Sequence, residues 1–169
     1  FNLKEYRYNS PDDRTINESH HIPSTIAKEL ALYIVIYAPV QMAADLPEHY
    51  EGHPAFQFIL DVPTDWNKTV TLNGEIGEYI TVVRKDINSN DWYLGSITNQ
   101  DSRNIDINLS FLDDGKRYRA TIYKDPKGGG WESMPEKVDI IEKVLNKNDD
   151  YQIVLPPGGG HAIRFSPID

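Results

Sequence analysis

The run Leu30-Ala31-Leu32-Tyr33-Ile34-Val35-Ile36-Tyr37 is apolar on every side of any helix it forms. Before it stand Pro23, Ser24 and Thr25, a turn and an N-cap, and then Ile26-Ala27-Lys28-Glu29. A helix without a polar face has to be buried all round. The sixty residues around this one cannot enclose it, so its partners are expected outside the chain. Phe1, with no initiator methionine before it, fits an interior position of a longer protein. Pro39 lacks an amide hydrogen and should kink or end the helix, leaving Val40 to Leu46 free to continue it up to Pro47. The helical segment is therefore placed at about 24–46.

The pattern changes near Val62. Ile105, Ile107 and Leu109 alternate with Asn104, Asp106 and Asn108, as in a strand with one wet face. Tyr118, Ala120 and Ile122 alternate with Arg117, Arg119 and Thr121 in the same way. Further strands are expected at Glu78 to Arg84, Asp91 to Thr98, Lys137 to Lys143, Tyr151 to Leu155 and His161 to Phe165. Asp113-Asp114-Gly115 makes a turn in which Gly115 takes positive φ, and Asp86 to Asn90 makes a polar loop. Short strands at roughly 8–14 residue spacing point to an antiparallel sandwich. Asp61 to Lys68 is the expected linker.

The 17 basic and 26 acidic residues give a formal charge of -9, a surface that repels phosphate backbones and anionic lipids. Nucleic acid and membrane are therefore not expected partners. The longest apolar run, Ile26 to Tyr37, contains Lys28 and Glu29 and is too short to span a bilayer. Without cysteine, thiolate zinc sites, thiol nucleophiles and disulfides are excluded.

No constellation of residues supports a catalytic, cofactor-binding or metal site. His20 and His21 stand beside Glu18, but neighbours on an extended chain face opposite ways, so a polar loop is expected. His49 and His53 have a helical metal spacing, yet Gly52 and Pro54 argue against a helix there. Gly128-Gly129-Gly130 and Gly158-Gly159-Gly160 lack the Lys-Ser or Lys-Thr of a phosphate loop and are expected to shape turns. No Gly-x-Ser-x-Gly elbow occurs. Asp113-Asp114 and Asp149-Asp150 fall in turns, and Asp45 is expected to cap the turn after the helix or meet a cation from outside the chain. Trp66, Trp92 and Trp131 could stack on sugars. Trp92 and Tyr93, however, face opposite sides of one strand, which puts at least one in the core, whereas Trp66 and Trp131 are expected in loops.

Three ordered segments resemble the C-terminal end of glycoside hydrolase family 97. The first runs from Ser24 through Tyr33 to Ala38-Pro39-Val40-Gln41-Met42-Ala43-Ala44-Asp45-Leu46-Pro47-Glu48. The second comprises Val62-Pro63-Thr64-Asp65-Trp66, Leu72-Asn73-Gly74-Glu75-Ile76-Gly77-Glu78-Tyr79 and Trp92-Tyr93-Leu94-Gly95-Ser96-Ile97-Thr98-Asn99. The third joins Phe111-Leu112 and Ala120-Thr121-Ile122-Tyr123-Lys124-Asp125 to Pro157-Gly158-Gly159-Gly160-His161-Ala162-Ile163-Arg164.

The resemblance implies a mostly β fold. Residues 1–62 would end a catalytic (β/α)8 barrel, with Phe1-Asn2-Leu3 just after its last active-site segment, and 63–169 would form a C-terminal antiparallel β-sandwich. It also implies a periplasmic or secreted bacterial parent that hydrolyses α-linked glucosides or galactosides, with calcium held near the sugar and a pair of carboxylates doing the chemistry. Those residues precede Phe1 in the family's order, so no catalytic, cofactor-binding or metal residue is carried over. The implied partners are the rest of the barrel and, for the parent, an α-linked oligosaccharide. The exposed barrel helix could also serve self-association, and the stretch from Tyr8 to His21 would be a loop leading to it.

Two other readings compete. A free-standing carbohydrate-binding module would expose a line of Trp or Tyr rings on one sandwich face. A small independent glycosidase would set two carboxylates roughly 5–9.5 Å apart across a cleft.

Overall fold

The computed structural model describes residues 3–8, 16–43 and 45–168. A hairpin opens it, with β1 (Lys4–Tyr8) antiparallel to β2 (Ile16–His21). The stretch from Tyr8 to His21, expected as a loop, thus contains β2 and the last residue of β1. Phe1 and Asn2 lie outside the described residues. Three helices follow: α1 (Ile26–Val35), α2 (Pro47–Tyr50) and α3 (Phe56–Asp61). Eight strands then build the sandwich: β3 (Trp66–Glu75), β4 (Tyr79–Asp86), β5 (Trp92–Thr98), β6 (Arg103–Asn108), β7 (Arg117–Lys124), β8 (Asp139–Asn146), β9 (Asp150–Leu155) and β10 (Gly160–Ile168).

Six of these strands form one antiparallel sheet in the order β3-β4-β5-β10-β7-β8, and β6 pairs with β9 in a second, smaller sheet. The expected alternation holds where one face is wet. Ile105 and Ile107, Tyr118, Ala120 and Ile122, and Tyr151, Ile153 and Leu155 all turn into the core between the sheets. That core also takes Val83, Trp92, Leu94, Ile163 and Phe165 from the middle strands. Gly115 has φ 69° in the turn expected of it.

The other face of the large sheet is covered by α1 and α3, whose core includes Ile26, Leu30, Ala31, Ile34, Ala55 and Phe58 with Tyr93, Tyr123 and Ala162 of the sheet. This corrects the expectation that α1 has no partner in the chain. Ile26, Ala27, Leu30, Ala31 and Ile34 make one buried stripe against β5 and β10, strands that lie far downstream in sequence. Only the opposite side, with Leu32 and Tyr33 half-buried, keeps an apolar character without full cover. Strands β4, β5 and β10 are buried on both faces in consequence.

Two boundaries also move. The helix does not reach Leu46. It stops at Val35, four residues before Pro39, whose ring would clash with the Val35 carbonyl in a continuing helix. The chain from Ile36 to Leu46 is non-helical where described, and Pro47 sits at the start of a new short helix. The linker shrinks from Asp61–Lys68 to 62–65, because α3 ends at Asp61 and β3 begins at Trp66. β3 is an edge strand with a mostly polar, partly exposed face, so its hydrophobic signal is weak.

Candidate functional site

The chemistry-bearing side chains gather where α1 meets the sheet and where the sheets meet at one end. At the start of α1, Thr25 accepts the Lys28 amide at 3.2 Å, and Ser24 donates to Glu29. Lys28 reaches across to the Thr98 carbonyl at 2.9 Å. Beside them Asp125, just after β7, is almost fully buried and accepts the Gly160 amide at 2.9 Å. Burial pushes the Asp125 carboxyl up to about 6, against the Gly160 and Thr25 hydrogen bonds and the charge of Lys28. At the other end of α1, Arg84 of β4 donates to the carbonyls of Ile34 and Val35 and to the Thr69 hydroxyl.

Glycine makes this docking possible. A Cβ at Gly160 would lie against the Lys28 backbone, with the Lys28 nitrogen at 2.6 Å, and a Cβ at Gly95 would lie 2.6 Å from the Ala31 carbonyl. The first residue of the Gly160-His161-Ala162 segment therefore seats the helix backbone rather than shaping a turn alone. Gly158, with φ 65°, does turn the chain, against the Trp131 ring.

Two carboxylates share a cation at Arg164, as Glu78 and Asp101 do more loosely at Arg103. Asp61 bonds the Arg164 Nη1 at 2.5 Å, and Asp91 accepts Nε at 2.8 Å and the Ser166 hydroxyl at 2.9 Å. Burial lowers the Arg164 guanidinium, but the Asp91 bond and both negative charges outweigh it and hold its proton more tightly than usual. Both carboxylates are thus tied down on one guanidinium. Of the other acidic residues singled out in the sequence, Asp113, Asp114 and Asp149 sit in turns as expected, whereas Asp150 begins β9 and pairs with Asn108. Asp113 accepts from Lys85 and Tyr118, whose hydrogen bonds outweigh burial and lower its carboxyl, and Asp149 accepts the Asn146 amide at 2.8 Å. Asp45 accepts the Leu46 amide at 2.8 Å and pairs with His49 at 2.5 Å, at the turn leading into α2.

His49 lies within the four-residue α2 and His53 lies beyond it, past Gly52 at φ 77°, so the two do not share a helix. Among the described residues no group of three His, Asp or Glu side chains is gathered as metal ligands would be. Trp92 and Tyr93 are both core, on opposite faces of β5. Trp66 is not in a loop. It begins β3, half-buried, edge-on to Tyr93 at 5.5 Å. No tryptophan is among the exposed large apolar side chains, so the aromatic line that a sugar-binding face would need is not formed by them. Arg84, Asp125, His161 and Arg164 were missed from sequence. Each acts on a residue far away along the chain, and no local pattern marks it.

A family model described as "Glycosyl-hydrolase 97 C-terminal, oligomerisation" matches residues 65–166, more than half of the chain. The chain belongs to the glycoside hydrolase family 97 C-terminal family. It is 35% identical over 142 residues to a retaining alpha-galactosidase of Bacteroides thetaiotaomicron, a match covering 83% of this chain and 21% of that protein. A family 97 enzyme from Pseudoalteromonas sp., solved with panose and with acarbose, superposes at a TM-score of 0.86 with 44% identity, over 90% of this chain and 24% of that one. A beta-arabinopyranosidase shares the fold at a TM-score of 0.69 and 24% identity. The family 97 C-terminal chain therefore spans less than a quarter of the length of these family relatives.

Proposed function

We propose that this chain is the accessory, non-catalytic end of an α-glycosidase. Its sandwich stiffens and covers one side of a catalytic barrel and helps subunits associate. The observation that carries this reading is the uneven distribution of exposed apolar residues. Ile36, Tyr37, Val40, Met42, Leu46 and Leu60 all lie in or beside the helical layer and are more than half exposed. Apolar residues grouped in this way mark a surface that another part of a protein covers. The groove of about 250 Å³ between Leu32, Tyr33, Ile36, Met42, Tyr50 and Ile59 lies on the same side. The rest of a barrel is the occupant that fits a chain spanning under a quarter of its relatives' length. The clamped Asp61–Arg164–Asp91 arrangement leaves the hydrolytic carboxylates to the remainder of the parent.

For that parent the reading is hydrolysis of α-linked galactosides or glucosides in the periplasm or outside the cell, with calcium bound near the sugar. The test is hydrolysis of nitrophenyl α-galactoside and α-glucoside, with and without calcium, by this chain and by the longer protein containing it. Activity in the longer protein and none in this chain is the expected result. Turnover by this chain alone would overturn the assignment.

A further inference from the structure

The two sheets do not cover each other evenly. β9 lies against β10 and β5, and the inner face of β8 extends past it. The overhang leaves a cleft of about 530 Å³ between β8, β9 and the loop after β7. Register fixes what faces into it. His161 pairs with Lys124 across β10 and β7, and the alternation that turns Tyr118, Ala120 and Ile122 inward places Lys124 on the same face. On β8, Ile141 and Lys143 follow the same alternation. Lys127 joins from the loop.

At the bottom of this cleft His161 is fully buried. Its Nε2 lies 3.0 Å from the Tyr151 hydroxyl, and its Nδ1 has no hydrogen-bond partner among the described residues. A buried ring nitrogen without a partner is costly and asks for one. Burial, then the charges of Lys124 and Lys143, keep the imidazole neutral, with its ionisation held down at about 3. Of the two neutral tautomers, the one in which Tyr151 donates to Nε2 puts the ring hydrogen on Nδ1 and offers a donor to an anion; the other makes Nδ1 an acceptor. Of the two carboxylates that line the cleft, Asp125 accepts the Gly160 amide on Oδ2 while its Oδ1 has no partner among the described residues, and Asp150 is solvent-exposed. In a chain of net charge -9, three lysines converging on one donor-lined cleft oppose the overall field.

We propose that this cleft is a binding site for a small oxyanion, a carboxylate or phosphate group. The Lys124 and Lys143 ammonium groups supply the charge, and the His161 imidazole is an uncharged donor beneath them. Lys143 lies over the Tyr151 ring at 5.4 Å and Lys124 is 4.0 Å from Asp139, so both cations are already held near the cleft. The cleft lies on the opposite side of the large sheet from α1, and the proposal does not depend on the accessory role above.

The test is backbone amide NMR of the chain at low and constant ionic strength, titrated separately with inorganic phosphate, sodium glucuronate and neutral methyl α-glucoside. The expected result is saturable shifts at residues 124, 143, 151 and 161 with phosphate, glucuronate or both, and none with the glucoside. Which anion saturates tells phosphate from carboxylate. In the surface variant K124Q/K143Q, which leaves the buried His161–Tyr151 pair in place, binding should weaken roughly tenfold. Non-saturating shifts, equal binding of the neutral glucoside, or unchanged affinity in K124Q/K143Q would each overturn the proposal.

Discussion

Arg84 Nε donates to the Ile34 carbonyl at 2.6 Å, so a cation on β4 closes the C-terminal end of α1. Helix α1 has no basic residue of its own in its last turn. The guanidinium supplies both the hydrogen bonds its last carbonyls lack and a charge complementary to the helix dipole. Its position over the Tyr37 and Trp66 rings, at 5.5 and 5.8 Å, keeps it there. Arg84→Gln should therefore cost about 2 kcal/mol, from charge-assisted hydrogen bonds to buried carbonyls. Urea denaturation of the variant checks this. A change below half of that would show that water replaces the guanidinium without loss.

Gly160→Ala and Gly95→Ala should each be more damaging than their single methyl suggests. The added carbon meets helix backbone in both cases, and backbone cannot swing aside as a side chain can. Overpacking of this kind costs about 3 kcal/mol. Loss of near-ultraviolet circular dichroism from the buried Tyr93, ahead of global unfolding, would locate the damage at the interface between helix and sheet.

Asp125 gives stability a pH dependence of unusual sign. Its carboxyl is raised from 3.8 to about 6 in the folded chain. Between those values the native state holds more protons than the unfolded state, so this contribution is full below about pH 4 and is lost as pH rises through 6. Asp125→Asn cannot ionise and removes it. The stability of the natural chain relative to D125N should thus fall by about 2 kcal/mol between pH 4 and pH 7. Thermal or urea unfolding at both pH values measures it, and a pH-independent difference would show that Asp125 is not raised.

Arg164→Met should leave Asp61 and the buried Asp91 facing each other without their shared cation. About 2 kcal/mol is the expected loss, discounted for the partial exposure of Arg164. Lys147→Ala breaks only an ion pair to the largely exposed Asp114 and should cost under about 0.5 kcal/mol. Similar losses in the two variants, compared in one denaturant series, would argue against a structural role for the Asp61–Arg164 contact.

Residues 105–108, 117–122 and 151–155 declare themselves as strands in the sequence alone. Each has one wet face, and a period of two is a local property that the chain carries with it. Asp113-Asp114-Gly115 and Thr25 are legible for the same reason, since a turn and a cap are decided within a few residues. The fate of α1 is not local. Whether Ile26, Leu30 and Ile34 find a partner depends on Tyr93, Tyr123 and Ala162, which the fold alone brings beneath them. Nor does any period mark Gly160 as the seat of Lys28, Arg84 as the cap of Ile34, or His161 as the neighbour of Tyr151 and Lys124. Sequence determined which segments alternate and where they turn, because backbone geometry answers to adjacent residues. Only the tertiary structure decided which faces meet, because burial and ion pairing depend on distance in space, and the partners concerned lie tens of residues apart.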